Sequence, residues 1–372
     1  MKHLVLAGGG HAHLEVLRQF GAQRALGHRL TVINPDRHSP YSGMLPGLIA
    51  GHYAWQQCHV DLGGLCDRAG AELVLAQVTS LDPETRTIML DNGCTLHWDL
   101  LSLNTGSTPD LAAVPGAHEH VVPIKPMSGF LRAWAALLRS MPEGASRPAR
   151  VTVVGGGAGG VEVVLAIHHR MQVEGFGRSA ISLVTNELLP TYPPRVRHVV
   201  THALDAARID LLKGRRAVEV KPGTLHFASG PALPTTFTVW ITGAAAPPWL
   251  ARSRLATDAR GFLTVDGSLR SVSHPWVLAA GDVASLASRP VPKAGVYAVR
   301  QGPALAEDLM RLLRDNPPIA YKPQRRFLSL LSLGERRAVA SWGNWAVAGA
   351  WVWKLKDRID RAFMRRYLRE DE

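Results

Sequence analysis

Two glycine-rich turns are the segments of this sequence best suited to hold a dinucleotide. The first, Gly8-Gly9-Gly10, follows an apolar run at residues 4–7, and the second, Gly155-Gly156-Gly157, follows a β-branched run at residues 151–154. Each turn opens a stretch that predicts a helix. Glycine lets the backbone approach a pyrophosphate, and the helix N-terminus supplies free N–H groups. One such turn is weak support, whereas two in one chain predict two dinucleotide sites.

Strand-like and helical runs alternate along the 372 residues, a length sufficient for two or three domains. In the first unit we predict a strand at residues 4–7, a helix at 11–20 and a second strand at 30–33. The sequence shows no internal repeat beyond the two units. It therefore predicts an α/β fold with parallel sheets, built on two Rossmann-like dinucleotide-binding domains.

The end of the second predicted strand is where an acidic residue usually bonds a ribose. Here the sequence reads Asn34-Pro35-Asp36, so either Asn34 or the nearby Asp36 could accept a hydrogen bond from a ribose hydroxyl.

His13 replaces the third glycine of the dinucleotide-binding fingerprint. We expect it to loosen helix–strand packing or to turn toward solvent or a ligand. His11 and His13 have no further ligand cluster, so we predict no metal and expect them to cap the turn or contact phosphate.

Three later turns strengthen the prediction of nucleotide binding. An apolar strand at residues 277–280 ends in Gly281-Asp282, which places a carboxylate to accept from a ribitol hydroxyl. Another strand runs into Asn104-Thr105-Gly106, and a similar Thr242-Gly243 turn follows the second unit. Each turn is common by itself, but their order in this chain makes the combination specific.

These motifs resemble the two-dinucleotide flavoprotein family that includes type II NADH dehydrogenases, sulfide:quinone oxidoreductases and pyridine nucleotide-disulfide reductases. The resemblance covers essentially the whole chain. Residues 8–17, together with the Pro-Tyr-Ser-Gly-Met-Leu-Pro-Gly segment at 40–47, are most similar to a subgroup found alone or fused ahead of selenophosphate synthase. The resemblance implies FAD on the first unit and NAD(P)H, as co-substrate, on the second.

The resemblance also implies contact residues and domain boundaries. The FAD contacts, with those inferred from the turns, are Gly8, Gly10, His11, Ala12, Asn34, Pro35, Asn104, Thr105, Gly106, Gly281, Asp282, Lys293 and Gly295. The NAD(P)H contacts are Gly155, Gly157, Gly160, Glu162, Thr185 and Gly243. The FAD domain is expected to be discontinuous, at residues 1–125 and 250–321. The NAD(P)H domain would be inserted at 126–249, and a small C-terminal hairpin-helix region would follow at 322–372.

The three cysteines argue against two of the family's reactions. Cys58, Cys66 and Cys94 form neither the redox pair that disulfide reductases carry beside the flavin nor the cysteine arrangement of sulfide oxidation. We therefore expect direct hydride transfer from nicotinamide to flavin, followed by electron transfer to an acceptor. Their spacing also predicts no disulfide framework, which favours a reducing, cytoplasmic compartment. The first strand begins by about Leu4, so we expect no signal peptide.

Glu162 and Lys293 are the candidate catalytic residues. Glu162 aligns with a family position near the nicotinamide, although the helix dipole also favours an ordinary acid in a first turn. Lys293 and Gly295 start the helix that faces the flavin's pyrimidine edge in the family, where positive charge stabilises reduced flavin. This Lys-x-Gly start resembles the sulfide:quinone branch. The glutamines of type II NADH dehydrogenases are replaced by Val296 and Arg300, which weakens the quinone assignment.

The choice between NADH and NADPH stays open at the sequence level. Thr185-Asn186 stands where NADH-selective relatives usually carry a glutamate, so a 2′-phosphate would meet no carboxylate there. Arg195 or Arg197 could then favour NADPH. Alternatively, Thr185 bonds the ribose and both arginines are solvated.

The C-terminal stretch is basic and carries an apolar stripe. From Lys322 to Glu372, twelve Lys/Arg oppose six Asp/Glu, which accounts for half of the formal net charge of +12. The stripe comprises Trp351, Leu355, Ile359 and Phe363, and most of the remainder is Lys354, Lys356, Arg358, Arg361, Arg365 and Arg366. Residues 345–369 could contact an anionic membrane surface, or the stripe could pack on its own domain or on a dimer partner. We predict no bilayer-spanning segment and no nucleic-acid partner.

Three functions are compatible with these patterns. The first is a FAD-dependent NAD(P)H dehydrogenase, cytoplasmic or peripheral on the inner face of a membrane, that reduces a quinone or similar small acceptor. The second is a soluble flavin reductase linked to selenium or sulfur metabolism. The third is a flavin-binding interaction module with a vestigial nicotinamide site. The sequence is compatible with a monomer or a homodimer in each case.

Overall fold

The computed structural model describes residues 1–22, 27–141, 148–324 and 326–368. Within these ranges the helices are α1 (His11–Ala22), α2 (Leu45–Ile49), α3 (Leu62–Ala69), α4 (Ala117–His120), α5 (Met127–Ser140), α6 (Ala158–Val173), α7 (Pro194–Ala206), α8 (Gly295–Leu313) and α9 (Ala350–Arg365). Short 3₁₀ turns lie at Ser42–Met44, Trp55–Cys58, Pro248–Arg252 and Gly281–Val283.

The strands are distributed over the whole described chain. Those of the first half are β1 (His3–Ala7), β2 (Arg29–Asn34), β3 (His38–Pro40), β4 (His59–Asp61), β5 (Glu72–Leu75), β6 (Val78–Asp82), β7 (Thr87–Leu90), β8 (Thr95–His97), β9 (Leu100–Leu103), β10 (Val122–Pro123), β11 (Arg150–Val154) and β12 (Ala180–Thr185). Those of the second half are β13 (Asp210–Lys213), β14 (Ala217–Lys221), β15 (Thr224–Phe227), β16 (Leu233–Pro234), β17 (Phe237–Trp240), β18 (Leu263–Val265), β19 (Val277–Ala279), β20 (Ala284–Leu286), β21 (Ser329–Ser332), β22 (Ala338–Trp342) and β23 (Trp345–Gly349).

A parallel five-stranded sheet forms the first of the two predicted units. Its strand order is β19-β9-β1-β2-β5, so β19 joins it from far along the chain. The central strands are continuous apolar runs because both faces of a parallel sheet are covered. Leu4, Leu6 and Leu101 are fully buried in this core. Helix α1 packs on one side against α3 and α8.

A second parallel sheet, of order β10-β17-β11-β12-β13, repeats the arrangement. Its own core includes Val153, Val164 and Leu183, each at 2% exposure or less. Two parallel sheets flanked by helices confirm the predicted α/β class. Smaller antiparallel sheets, β6-β7-β8 and β14-β15-β16, are attached to the first and second units respectively.

The C-terminal region is a three-stranded antiparallel sheet followed by α9. The sequence predicts only a hairpin and a helix, and the structure adds β21 as a third strand beside β22. Helix α9 packs on this sheet, chiefly on β22. Among the described residues no helix is both long enough and apolar enough to cross a membrane.

The packing of α9 corrects the predicted stripe. Phe363 is 5% exposed and packs against Tyr41 and His11, whereas Trp351, Leu355 and Ile359 are 56%, 37% and 44% exposed. Lys356, assigned to the basic surface from sequence, is 9% exposed and lies on the inner side of the helix. The residues at 352, 356 and 360 recur every four positions, so they share the face that α9 buries.

His13 also departs from its predicted environment. It is fully buried, and its Nδ1 lies 2.6 Å from the Gly8 carbonyl oxygen while Nε2 lies 2.8 Å from Ser102 Oγ. The ring therefore joins the glycine turn to β9 instead of facing solvent. These two contacts of the imidazole replace the close backbone packing that a glycine at position 13 would allow. Helix α1 therefore stays attached to the sheet.

We predict that His13→Ala lowers the free energy of unfolding by about 2–4 kcal/mol, because it leaves the Gly8 carbonyl and the Ser102 hydroxyl unpaired beside a new cavity. Urea unfolding of the purified protein measures this loss. The exposed His97→Ala should change it by less than about 0.5 kcal/mol. Equal losses in the two variants would contradict the structural role of His13.

The same histidine predicts a pH dependence of stability. Burial lowers the pKa of His13 to about 4. The unfolded chain therefore takes up a proton near pH 6.5 that the folded chain refuses until about pH 4. The free energy of unfolding should fall as the pH falls through this window. In His13→Ala the same measurement should give a shallower dependence.

Candidate active site

The predicted FAD contacts gather at the carboxyl edge of the first sheet. The Gly8-Gly9-Gly10 turn follows β1, Asn34 ends β2, Asn104 follows β9 and Gly281 follows β19. All four strands run parallel, so their carboxyl ends lie at one edge, where open α/β sheets bind ligands. The structure thus brings together segments that are up to 273 residues apart in sequence, from Gly8 to Gly281.

Asn104 holds this edge together. Its Oδ1 accepts from Ala12 N at 3.1 Å, and its Nδ2 donates to Ala280 O at 2.6 Å. A Cβ on Gly10 would collide with Asn104 Oδ1, and one on Gly8 would lie 2.5 Å from the Asn104 carbonyl oxygen. Both glycines are therefore required for close approach of backbone to backbone.

Asn34 has a comparable structural function at the end of β2. Gly9 N donates to Asn34 Oδ1 at 2.8 Å, and Asn34 Nδ2 donates to the Asp36 carbonyl oxygen at 2.6 Å. The side chain thus fixes both the glycine turn and the segment that follows. Pro35 is exposed beside it. A ribose contact here stays a prediction.

Asp282 lies in a charged hydrogen-bond group at the same edge. Lys125 Nζ is 2.8 Å from Asp282 Oδ2, and Ser107 Oγ donates to the same oxygen at 3.1 Å. Burial opposes ionisation of Asp282, but the positive charge of Lys125 and these hydrogen bonds lower its pKa. Gln301 Oε1 accepts from Gly281 N at 2.6 Å and so holds the Gly-Asp turn.

The second glycine turn has the geometry of a phosphate cradle. A Cβ on Gly157 would meet no described atom within 4 Å, and no side chain caps the N-terminus of α6 among the described residues. A Cβ on Gly160 would instead collide with the Gly155 carbonyl oxygen. Gly160 therefore permits close packing of α6, and Gly157 leaves room for a ligand. Gly243, with φ +52, also borders open space.

The end of β12 combines a hydroxyl with opposite charges. Thr185 Oγ1 donates to the Glu187 carbonyl oxygen at 2.7 Å, so this hydroxyl is used locally. Arg197 lies 3.8 Å from the Glu187 carboxylate, whereas Arg195 is exposed. Lys213 is the strand partner of Thr185 and adds a further positive charge at this edge.

Glu162 lies in the first turns of α6 and faces the C-terminal region. Its Oε1 accepts from Ser332 N at 2.8 Å. Burial raises the pKa of Glu162 to about 7, although the Lys356 ammonium and the Ser332 hydrogen bond act in the opposite direction. This carboxyl group can therefore gain or lose a proton near neutral pH.

The start of α8 places Gly295 beside the first glycine turn. A Cβ on Gly295 would lie 3.4 Å from Ser42 Oγ and 3.5 Å from His11 Cε1. Burial lowers the pKa of His11 to about 4, so its ring is neutral at pH 7. Lys293 turns away from the helix start: its Nζ donates to Ala284 O at 2.6 Å and lies 3.8 Å from the Phe262 ring centroid.

Helix α9 contributes a buried ion pair to the region between the two units. Lys356 Nζ is 2.7 Å from Asp360 Oδ2 and donates to Gly43 O at 2.6 Å. Tyr41 donates its hydroxyl hydrogen to Asp360 Oδ1 at 3.1 Å. Although burial opposes the charge, Asp360 and Glu162 raise the pKa of Lys356. We call Tyr41, Glu162, Lys356 and Asp360 the seam cluster.

Residues 2–302 match the family model described as pyridine nucleotide-disulphide oxidoreductase. The chain belongs to this family. Membership accounts for the two parallel sheets and their glycine turns, and it confirms the resemblance inferred from the sequence motifs at the level of the family. The finer similarity to the selenophosphate synthase subgroup stays a prediction.

The individual relatives described next have sequence identities below 30%. The chain is 29% identical over 238 residues to an NADH dehydrogenase-like protein of Mycobacterium tuberculosis, covering 61% of this chain and 59% of the relative. It is 27% identical to an alternative NAD(P)H-ubiquinone oxidoreductase of Arabidopsis thaliana, covering 59% and 45%. The matched regions thus span less than two thirds of these relatives. The sulfide:quinone oxidoreductase of Aquifex aeolicus has a similar fold, with a TM-score of 0.80, 18% identity and coverage of 99% and 91%.

The residues at the first sheet edge fit FAD. Thr105 Oγ1 is buried without a hydrogen-bond partner among the described residues, and Gly106 has φ +75 with open space beside it. An unpartnered buried hydroxyl at this edge is a donor or acceptor that a polar ligand can satisfy. Asp282 and Lys125 add opposite charges suited to ribityl and phosphate oxygens. The site therefore offers the donors and acceptors that a flavin dinucleotide requires.

Sequence reasoning missed two residues of this site. Lys125 orients Asp282 but lies in no recognised motif. Lys356 was assigned to the solvated basic surface. Its repeat with Val352 and Asp360 on one helix face is the signal that could have indicated burial. A lysine and an aspartate four residues apart form a pair on any helix, so the spacing alone does not distinguish a buried pair from an exposed one.

We predict that Asp282→Asn weakens FAD binding by about tenfold or more, because the amide loses a charge-assisted hydrogen-bond acceptor and leaves Lys125 unpaired. Titration of the flavin-free protein with FAD, followed by fluorescence quenching, measures the affinity. The exposed Asp110→Asn makes the same chemical change outside the site and should bind FAD normally. Normal affinity in Asp282→Asn would exclude this carboxylate from the cofactor site.

Proposed function

We propose that this protein is a peripheral FAD-dependent NAD(P)H dehydrogenase that passes electrons to a quinone or a similar small acceptor. The observation that carries the proposal is the seam cluster, in which a buried lysine from α9 donates to the first unit and its charge acts on the pKa of Glu162, a titratable acid of the second unit. Family membership and the names of two relatives, an NADH dehydrogenase-like protein and an NAD(P)H-ubiquinone oxidoreductase, support the same reaction type.

The proposed site residues have separate functions. Gly8, Gly10 and Thr105 would hold FAD on the first sheet, and Gly155, Gly157 and Gly160 would hold NAD(P)H on the second. FAD, when bound, accepts a hydride from the nicotinamide and returns its electrons to a second substrate. The protein supplies orientation and charge, and the fixed geometry of the two units makes the transfer effectively unimolecular.

Glu162 is the proposed proton donor of the acceptor site. Reduction of a quinone consumes protons, and a carboxyl group with a pKa of about 7 can hold one at neutral pH and release it. Lys356 contributes to this function because its positive charge keeps the pKa of Glu162 below the value that burial alone would produce. Lys293 lies near Asp282 and Asp258, and we assign it to the electrostatics of the FAD site and not to the acceptor.

The residues at the end of β12 support a preference between NADH and NADPH. Thr185 replaces the carboxylate that would repel a 2′-phosphate, and Arg197 and Lys213 add positive charge there. Glu187 neutralises part of that charge by its contact with Arg197. We therefore propose that the protein accepts both nucleotides and prefers NADPH.

The C-terminal surface supports membrane contact. Trp342, Trp345 and Trp351 are 48%, 76% and 56% exposed, and the partly exposed Leu355 and Ile359 share a face of α9 with Trp351. Lys354, Arg358 and Arg365 are exposed nearby. Exposed tryptophans bordered by basic residues are typical of helices that lie in the interface of an anionic bilayer. The acceptor then enters from the lipid, which is where quinones dissolve.

The reductive reaction is tested by anaerobic stopped-flow mixing of the FAD-loaded protein with NADH or NADPH. We expect flavin absorbance to bleach with both nucleotides, faster with NADPH, and to return when a short-chain quinone is added. Bleaching followed by oxidation only with selenium compounds would favour the soluble reductase. If neither nucleotide bleaches bound FAD, the proposed dehydrogenase activity is wrong.

Replacing Glu162 should change the pH profile of the acceptor reaction. We expect an inflection near pH 7 in the rate of flavin reoxidation by quinone, and Glu162→Gln should abolish it and slow the rate by about 10²-fold. Lys356→Met should move the inflection to higher pH, because it removes the charge that lowers the Glu162 pKa. The exposed Glu174→Gln, at the residue that follows the last residue of α6, serves as a control. An unchanged profile in Glu162→Gln would rule out this proton donor.

Removing exposed tryptophans should weaken membrane binding without affecting the flavin reaction. Trp345→Ser combined with Trp351→Ser is expected to reduce co-sedimentation with phosphatidylglycerol vesicles by about tenfold or more, because both side chains lose apolar contact with lipid. Bleaching by NADPH in detergent-free buffer should be unchanged. Met89→Ser removes an apolar side chain that is 48% exposed elsewhere and should sediment as the parent protein does.

A further inference from the structure

A half-open cavity of about 190 Å³ lies between α1, α3 and the C-terminal end of α9, away from the carboxyl edges that carry the nucleotide turns. Its walls combine three guanidinium groups with three leucine side chains, together with the small residues Gly21 and Ala22. The polar lining residues are Arg18, Arg68 and Arg366, and the large apolar ones are Leu17, Leu65 and Leu368. The proposed dehydrogenase reaction makes no use of this cavity.

The three arginines are not equally neutralised. Arg18 donates to both carboxylate oxygens of Glu15, at 2.6 and 3.0 Å, and is therefore largely compensated. Arg68 donates to the Tyr367 carbonyl oxygen at 2.9 Å, and Arg366 is exposed. Within the described part of the chain, neither Arg68 nor Arg366 forms an ion pair. Among the described residues, the cavity wall thus carries two guanidinium groups with no carboxylate at ion-pair distance, although the charge of Arg366 acts on the pKa of Glu15.

The position of Arg366 connects the cavity to the exposed surface of α9. Arg366 keeps helical dihedral angles just after the last turn, with φ −64 and ψ −23. It follows Leu355 by eleven residues and Ile359 by seven, so it extends the same helix face. An amphiphile whose acyl chains lie along this exposed stripe would therefore place its head group beside Arg366 and Arg68.

We infer that this cavity binds the phosphate monoester head group of an anionic phospholipid. Guanidinium groups bind phosphate oxygens in a planar, bidentate manner, and a monoester dianion matches the charge of the two arginines that form no ion pair with a described residue. The leucines favour a ligand in which the phosphate is attached to an apolar part over a free inorganic ion. The inference rests on the proposed membrane contact of α9, and it adds selectivity for one lipid head group to that contact.

The chain offers a matched pair of variants for the test. Arg365 and Arg366 are adjacent, exposed and equal in charge, but only Arg366 lines the cavity. Arg366→Gln should weaken binding of dihexanoyl phosphatidate, measured by calorimetry on the FAD-loaded protein, by about tenfold, whereas Arg365→Gln should change it less than twofold. Ala22→Phe leaves every charge in place and should also abolish binding, because its ring fills the cavity.

Measurements with two ligands distinguish a lipid phosphate from free inorganic phosphate. Inorganic phosphate should bind the parent protein at least tenfold more weakly than dihexanoyl phosphatidate; equal affinities would overturn the lipid assignment and indicate a site for free phosphate. No binding of either compound, or equal loss in Arg365→Gln and Arg366→Gln, would overturn the cavity as a site.

Vesicle sedimentation separates this inference from the membrane proposal. The parent protein should bind phosphatidate vesicles more tightly than phosphatidylglycerol vesicles, and Arg366→Gln should lose that preference while still binding both. If the parent protein binds neither kind of vesicle but still binds dihexanoyl phosphatidate, the membrane proposal fails and the head-group site stands. If it binds both vesicles equally, the head-group selectivity is wrong.

Discussion

The ion pair between Lys356 and Asp360 is the interaction on which the arrangement of the site depends. Burying two charges costs several kcal/mol per ion, and the cost is recovered only where further hydrogen bonds satisfy both partners. Here the Gly43 carbonyl accepts from the lysine and Tyr41 donates to the aspartate. Because these partners belong to the first unit, α9 is held in one position by polar geometry as well as by apolar packing. Burial raises the pKa of Glu162 to about 7, and the charge of Lys356 on this helix acts against a larger rise.

The two units hold their first helix against the glycine turn in two different ways. Gly160 lets α6 approach the Gly155 carbonyl, whereas at the equivalent place His13 bonds the Gly8 carbonyl with its ring. The correspondence continues two residues farther along each helix, at Glu15 and Glu162. Both acids contact the C-terminal part of the chain: Tyr367 donates to Glu15 at 3.4 Å, and the Ser332 amide donates to Glu162. The C-terminal region thus covers equivalent positions of both units, which explains how one sheet and one helix can hold them together.

The sequence predicts the parts of the molecule that depend on local chemistry. Glycine turns after apolar strands identify both parallel sheets, because few other residues allow such close approach of the backbone. Contacts between distant segments were not predictable. The sequence predicts solvent exposure for Lys356 because charged residues on an amphipathic helix usually face solvent, whereas its burial depends on Gly43 and Tyr41, about three hundred residues earlier. His13 was misplaced because its partner Ser102 lies on a strand that the glycine motif does not specify.

The two sides of α9 contribute unequally to the stability of the fold. Its inner side, with Val352, Lys356 and Phe363, is buried and contributes to the stability of the fold. Its exposed stripe of Trp351, Leu355 and Ile359 contributes little, since apolar side chains in water gain nothing from folding. A helix that leaves its more apolar stripe in water is stable here only because the buried ion pair and the packed aromatic rings hold the other side. A partner that covers the stripe therefore binds the opposite side of the helix that carries Lys356 and Asp360 of the seam cluster, and it needs no rearrangement of the helix.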